Sequence, residues 1–581
     1  MQKNHYLPTT KSELQQLGWD YVDIVIVSGD AYVDHPAFAA AIIGRNLEAA
    51  GFRVGIIDQP DWQNPQDFLR LGLPRLYWAI SSGNMDSMVN HYTAQKKLRH
   101  NDAYTAGGAF GKRPDRALII YANVLRRISK GIPIIIGGIE ASLRRICHYD
   151  YWSDSIRNSI LADAKADLLV YGMGEKTAIA IAKSLREGSK IADLDVLPGT
   201  VVFSKTVSED GVLLPDSDQC HKADVFYRMT KMFEEHRQTG TLFQRNGGRL
   251  LKHNPAPDLP TTDELDSFYT AQYNYLPHPK YGALEIPAFV QIRNSLTSHR
   301  GCYGGCNFCA IVAHQGRAIC SRSQASLLNE ADRLSKDLCF GGTISDVGGP
   351  TANMYGTFCK IGFPASCKRP SCLYPALCPN LMTDQSSYAK LLSRMADKPS
   401  VKNVFIASGI RHDLALADKG IIPKLVPKHT GGRLKLAPEH ISKVVLEAMG
   451  KPRIDSYEEF SKIFANICQA QKISRQIIPY LIIGHPGTTL EAAIELGIWL
   501  KRNKIRVEQV QEFTPTPMTI STCMYFTKQD FNSGAAITVP QGRQIRLQKA
   551  LAMWQDKSFQ SLRIEALKLA KREDLIPFFA K

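Results

Sequence analysis

The stretch SLTSHRGCYGGCNFCAI, residues 295 to 311, gathers Cys302, Cys306 and Cys309 within eight positions. Thiolates are soft ligands that suit zinc and iron–sulfur clusters alike, so residue type alone does not choose between them. The spacing Cys-x3-Cys-x2-Cys lets one short loop wrap three corners of a cubane, with Gly304 and Gly305 allowing backbone torsions that a Cβ would obstruct. A closed structural site usually takes four protein ligands. Three leave a position open, and open positions are what catalytic metals keep for water, substrate or cofactor. The other reading is a three-cysteine zinc knuckle completed by a distant ligand such as His314.

A second group follows in CKIGFPASCKRPSCLYPALC, residues 359 to 378, where Cys359, Cys367, Cys372 and Cys378 occupy 20 positions of a chain that has 13 cysteines in 581 residues. Chance crowding does not account for that density. Four thiolates can close a zinc site or ligate an auxiliary [4Fe–4S] cluster, and Pro364, Pro370, Pro375 and Pro379 would stiffen the wrapping loop. Spacing does not choose between the two metals. In a reducing compartment the thiols argue for metal, catalysis or burial rather than disulfides.

Elements that would position these loops can be read from the apolar pattern. VDIVIVS (22–28), PAFAAAIIGRNLEAAG (36–51) and RVGIID (53–58) read as β-α-β. LYWAIS (76–81), IPIIIGG (132–138) and DLLVYGMG (167–174) are continuous apolar runs ending near Gly, as central parallel strands do. A doubly wound sheet is therefore expected over 1–200, with ligands favoured at the carboxyl edge of its strands. From 201 to 285 the pattern weakens to an insertion or linker, and HNPAPDLPTTDELDS (253–267) reads as a connector. Over 286–540 the alternation resumes with strands expected within IPAFVQIRNS (286–295), GGTISDVGGPTANMYG (341–356), VKNVFIASGI (401–410), GGRLKLAPEH (431–440), QIIPYLIIGHPG (476–487) and IRVEQVQEF (505–513). Helical stretches such as SQASLLNEADRLSKDL (323–338) lie between them. Six such strands predict a partial β/α barrel with the cysteine-rich insertion at 359–380 and a helical extension at 541–581; in this fold the strand ends carry the chemistry.

Net charge is +16 and unevenly placed: residues 1–300 carry 34 basic against 33 acidic residues, whereas 301–581 carry 37 against 22. The basic half begins at the cysteine loop and could attract nucleic acid or another anion. No apolar run approaches the roughly 18 residues of a membrane span, and MQKNHYLPTTKSELQQLGWD has no stretch of signal-peptide type, so a cytoplasmic protein without membrane contact is expected.

With Phe308 in the aromatic place before the last cysteine, the loop resembles the signature of the radical SAM enzymes. The resemblance implies that Cys302, Cys306 and Cys309 hold a [4Fe–4S] cluster whose unique iron chelates S-adenosylmethionine, the cluster being reduced by an electron donor. It also implies cofactor contacts at Gly348 and Gly349, where Pro350 replaces the Glu of the usual Gly-Gly-Glu motif, at Glu439 in LAPEH, and at Gly484 in LIIGHPG. Through SGDAYVDHPAF (28–38), GGIEASLRR (137–145), HRGCYGGCNFCAI (299–311), SDVGGPTANMYG (345–356) and LKLAPEH (434–440), nearly the whole chain resembles the YgiQ-type radical SAM proteins. The N-terminal domain then looks like the cobalamin-binding Rossmann type. Its cobalt-ligating Asp-x-His-x-x-Gly is not matched, since Asp34 and His35 are adjacent, so a scaffold is expected. The implied activity is reductive cleavage of S-adenosylmethionine to a 5′-deoxyadenosyl radical that takes hydrogen from an unidentified small-molecule or RNA substrate. Two other classes stand beside it: a tRNA- or nucleotide-modifying radical enzyme using the basic half, and a non-enzymatic zinc protein that binds nucleic acid, which would be colourless and contain no iron.

Overall fold

A computed structural model describes residues 5–337, 339–363 and 367–580. It divides into two compact units: Met1–Ser295 with Ala313–Gly316 and Arg322–Asp337, and Leu296–Val312 with Arg317–Ser321 and Leu338–Lys581.

In the first unit the strands Ile24–Ser28, Val54–Asp58, Tyr77–Ser81, Ile134–Gly137 and Leu168–Val170 form the parallel part of a nine-stranded sheet. Their apolar runs are continuous because both faces are buried. Ile24 and Ile26 enter one core with Leu47 and Ile181, while Val25 and Val27 enter the other with Leu118 and Leu125. The helices Ala39–Ala49 and Glu175–Arg186 supply the first core and Ala117–Ile128 the second, so the sheet is doubly wound.

Residues 201–285, expected as an insertion or linker, extend this sheet instead. Thr200–Ser204, Arg249–His253 and Leu242–Asn246 add in antiparallel order, and Val212–Leu213 closes the edge. The hairpin turns on Gly247 and Gly248, with φ of 53° and 81°, the paired left-handed torsions of a two-residue β-hairpin loop. Polar side chains on LFQRN and RLLKH hid these strands from a search for apolar runs. A second difference is the helix Pro287–Ile292, where a strand is expected: Pro287 presets φ for a first helical turn, and only Phe289 of that turn is buried. The helix Gln324–Leu334 forms as expected but belongs to the first unit.

In the second unit Ser295–Thr297 hydrogen-bonds to Asp346–Gly348, and Thr343–Ile344 pairs in parallel with Asn403–Val404. A parallel bridge joins Ile410 to Leu436. Arg433–Glu439, Gln476–Ile483 and Gln511–Glu512 then run parallel in chain order. This is a partial β/α barrel with short strands. The helices Leu490–Arg502, Arg543–Ala552 and Gln560–Leu569 pack around Ile494, Leu547, Leu551 and Leu567. Among the described residues no helix is long and apolar enough to cross a membrane.

Candidate metal and cofactor site

The cysteine loop leaves the carboxyl end of the first barrel strand through two glycines that no other residue could replace without movement. Gly301 has φ 87°, and a Cβ there would stand 1.9 Å from the Ala318 carbonyl oxygen; Gly305 has φ 60° and a Cβ would stand 2.3 Å from the Pro370 oxygen. Gly304 acts through space rather than torsion. Its absent Cβ would lie 3.3 Å from Cys302 Sγ and 3.9 Å from Cys306 Sγ, so two sulfurs face the same small gap.

Asn307, passed over in the sequence, fastens the loop. Its Nδ2 donates to the Ala448 carbonyl and its N–H to that of Met449, both at 2.9 Å, while its own carbonyl accepts from Ser521 at 2.9 Å. Phe308 packs among Val445, Met449, Ile482 and Phe513 and meets the His485 ring edge-on at 6.1 Å. His485 is buried with both nitrogens used: Nδ1 donates to the Pro486 carbonyl at 2.7 Å and Nε2 accepts from Ser521 Oγ at 2.6 Å. Burial holds its pKa down at about 3, so it is neutral.

The electrostatic partner of the thiols is Arg411. Its Nη1 stands 3.6 Å from Cys306 Sγ, and its Nε and Nη2 grip Asp413 at 2.9 and 2.5 Å. Burial and the Cys306 and Cys302 thiols push Cys309 up to about 12, with Glu439 adding to the rise. Burial, then Cys306, raises Cys302, which Arg411 pulls back. Cys302 and Cys309 are therefore held toward their protonated forms until a metal displaces the protons. Among the described residues no group of three or more Cys, His, Asp or Glu side chains stands at metal-bonding geometry. Three soft donors beside one fixed cation fit an iron–sulfur cluster. His314, the alternative zinc ligand, has Nδ1 within 2.9 Å of Ser142 Oγ.

The remaining expected contacts lie at strand ends but differ in how they are used. A Cβ on Gly348 would meet Ser408 Oγ at 2.0 Å, and one on Gly349 would meet the His299 ring at 2.7 Å. The Gly348 carbonyl already accepts from the Ser298 N–H at 2.7 Å. These glycines serve close packing between strand ends. Glu439 ends the fourth strand at φ 68°, after a break in register, a strained backbone of the kind held at functional sites. Its carboxylate is 3.7 Å from Lys451 Nζ; burial raises its pKa while Lys451 and Arg411 oppose the rise. Gly484 sits at φ 73° and donates its N–H to Gln548 Oε1 at 2.8 Å. Neither Arg411 nor Lys451 carried a sequence signal, since their partners are remote in the chain.

A cobalt ligand does not fit at Asp34–His35. Asp34 is clamped by Arg45 at 2.6 and 2.9 Å and by Asn274. His35 is buried beside the Tyr275 and Phe289 rings. At the carboxyl edge of the sheet Arg113 fills the space over Gly29, bound to the Ser82 carbonyl, Asp30 and Asp102.

Comparison with known proteins adds to this geometry. The family Radical SAM N-terminal matches residues 6–295, and a domain of unknown function, DUF3362, matches 508–581. A UPF0313 protein of Methanocella arvoryzae is 48% identical over 98% of this chain and 96% of its own length. A UPF0313 protein of Rhodopseudomonas palustris is 45% identical over 98% of this chain and 90% of its own. Among solved structures, the cobalamin-dependent S-adenosylmethionine radical enzyme OxsB, with aqua-cobalamin and S-adenosylmethionine bound, superposes with TM-score 0.51 at 14% identity, covering 97% of this chain and 73% of that one. At that identity the likeness is one of fold.

Proposed function

Because the chain belongs to the UPF0313 family, the YgiQ-type proteins its motifs resemble, we propose that Cys302, Cys306 and Cys309 hold a [4Fe–4S] cluster that leaves one iron for S-adenosylmethionine. The chain is a radical SAM enzyme, and such an enzyme needs a reductant and a substrate. When bound, the cluster supplies the electron that splits the sulfonium of S-adenosylmethionine into methionine and a hydrogen-abstracting 5′-deoxyadenosyl radical.

The chain's own residues prepare that chemistry. Gly304 keeps the space between the Cys302 and Cys306 sulfurs clear. Arg411 places a permanent positive charge beside Cys306 Sγ and opposes the rise that burial gives Cys302. Phe308, His485 and Phe513 form an aromatic wall, 6.1 and 5.0 Å between successive ring centres, that keeps water from one side of the loop. Neutral His485 orients through Ser521 and offers no proton. Glu439 ends its strand beside Lys451 and contributes a buried carboxylate to contact the cofactor's hydroxyl or amino groups.

The observation that carries this reading is the placement of two sulfurs around Gly304 with Arg411 at the third side. Anaerobic reconstitution with iron and sulfide should give a brown protein that forms 5′-deoxyadenosine from S-adenosylmethionine under a strong reductant. Cys306→Ala should do neither; equal product from both would remove Cys306 from the assignment. The basic excess of 301–581 favours an anionic substrate, and an RNA substrate would bind with an affinity that falls steeply as salt rises.

A further inference from the structure

The loop at 359–382 buries only Leu373, Cys378 and Leu381 among its described apolar side chains. Its ends are the two-residue strands Phe358–Cys359 and Leu381–Met382, while Phe358, Ile361 and Leu377 remain about half exposed. A segment that buries so little apolar surface needs a cross-link to offset the entropy of ordering it, and no disulfide provides one.

Backbone pairing links three of its four cysteines, although among the described residues no three such side chains stand at metal-bonding geometry. Cys359 is the register partner of Leu381, the Leu381 N–H donates to the Cys378 carbonyl at 3.0 Å, and the Cys378 N–H donates to the Cys372 carbonyl at 2.8 Å. Cys378 and Cys372 pack in one apolar cluster with Tyr303 and the rim of Cys302. Cys367 stands five positions before Cys372. Positive charge suited to a multiply anionic centre is at hand: Lys360, Lys368 and Arg369 lie in the loop, and Arg317 donates to the Arg369 carbonyl.

We propose that Cys359, Cys367, Cys372 and Cys378 bind a second, tetrathiolate metal centre, a zinc ion or a [4Fe–4S] cluster, that staples this loop against the first cysteine loop. The docking is direct: the Cys372 N–H donates to the Tyr303 carbonyl at 3.0 Å, Ser371 Oγ donates to that of Gly304 at 2.8 Å, and the Pro370 carbonyl abuts Gly305. Closing the centre requires the thiols to lose protons to solvent as the metal–sulfur bonds form. It does not require iron on the first loop.

The test uses the full chain with Cys302, Cys306 and Cys309 replaced by Ala, reconstituted anaerobically with zinc alone or with ferrous iron and sulfide. Retention of about one zinc per chain identifies a zinc site, and retention of about four iron with matching sulfide identifies a cluster. Adding Cys372→Ser and Cys378→Ser should abolish either. No bound metal under both conditions, or the same metal content after the serine changes, overturns the proposal. Alkylation of the unsubstituted loaded protein, read by peptide mass, guards against misfolded variants. Cys359, Cys367, Cys372 and Cys378 should be protected at least tenfold until the metal is stripped, and equal labelling before and after stripping overturns it as well.

Discussion

Arg411 and Cys306, separated by 105 positions in the chain, meet with the guanidinium 3.6 Å from the sulfur, and the fork of Arg411 is fixed on Asp413 by two further bonds. A rigid cation is thereby aimed at a cysteine sulfur in a buried site, where charge interactions are screened far less than in water.

The first prediction concerns that cation. It favours the added electron on a bound cluster, so Arg411→Met with Asp413→Asn should lower the midpoint potential measured by redox titration with electron paramagnetic resonance. The paired change avoids leaving Asp413 buried without its partner, which costs about 3–5 kcal/mol. A potential that stays put or rises contradicts the electrostatic role.

Gly301→Ala should empty the first site while sparing the sheet of the N-terminal unit. A side chain there meets the Ala318 carbonyl and must hold a left-handed torsion, a strain of about 1–3 kcal/mol. Iron per chain should fall several-fold with the far-ultraviolet circular dichroism unchanged.

Acid sensitivity follows from His485. Its folded pKa, about 3, lies below the unfolded value of about 6.5. The unfolded chain therefore takes up the proton first as pH falls. This contribution to stability is fully present above about pH 6.5 and is lost toward about pH 3, by up to about 1.4 kcal/mol per pH unit for the one group. Urea unfolding should show a shallower pH dependence between about pH 4 and about pH 6 in His485→Gln than in the unaltered chain; equal slopes would show that His485 is not held neutral.

Glu439→Gln separates cofactor binding from turnover. If the carboxylate contacts S-adenosylmethionine, the KM for that cofactor should rise about tenfold, the loss of one charge-assisted hydrogen bond, with kcat changed less. A fall in kcat at constant KM would confine Glu439 to holding Lys451.

Local patterns announced much of this architecture. The runs at 24–28, 77–81 and 134–137 stood out because strands buried on both faces are largely apolar, and the cysteine loop because three cysteines sit on one short segment. The hairpin 242–253 was hidden because buried polar residues, Gln244, Asn246 and His253, interrupt its apolar pattern, and the helix at 287–292 because a single short apolar turn has no distinguishable period.

The sequence by itself determined the donor atoms, their spacing and the alternation of strands and helices, since these are written within a few residues of one another. Only the tertiary structure decided that Arg411 faces Cys306, that Gly304 yields space while Gly305 yields both space and torsion, that Gly348 and Gly349 are packed by Ser408 and His299, and that the second cysteine loop rests on the first. Those relations depend on which strand ends the barrel brings side by side, and that is set by packing across the whole unit rather than by any local run of residues.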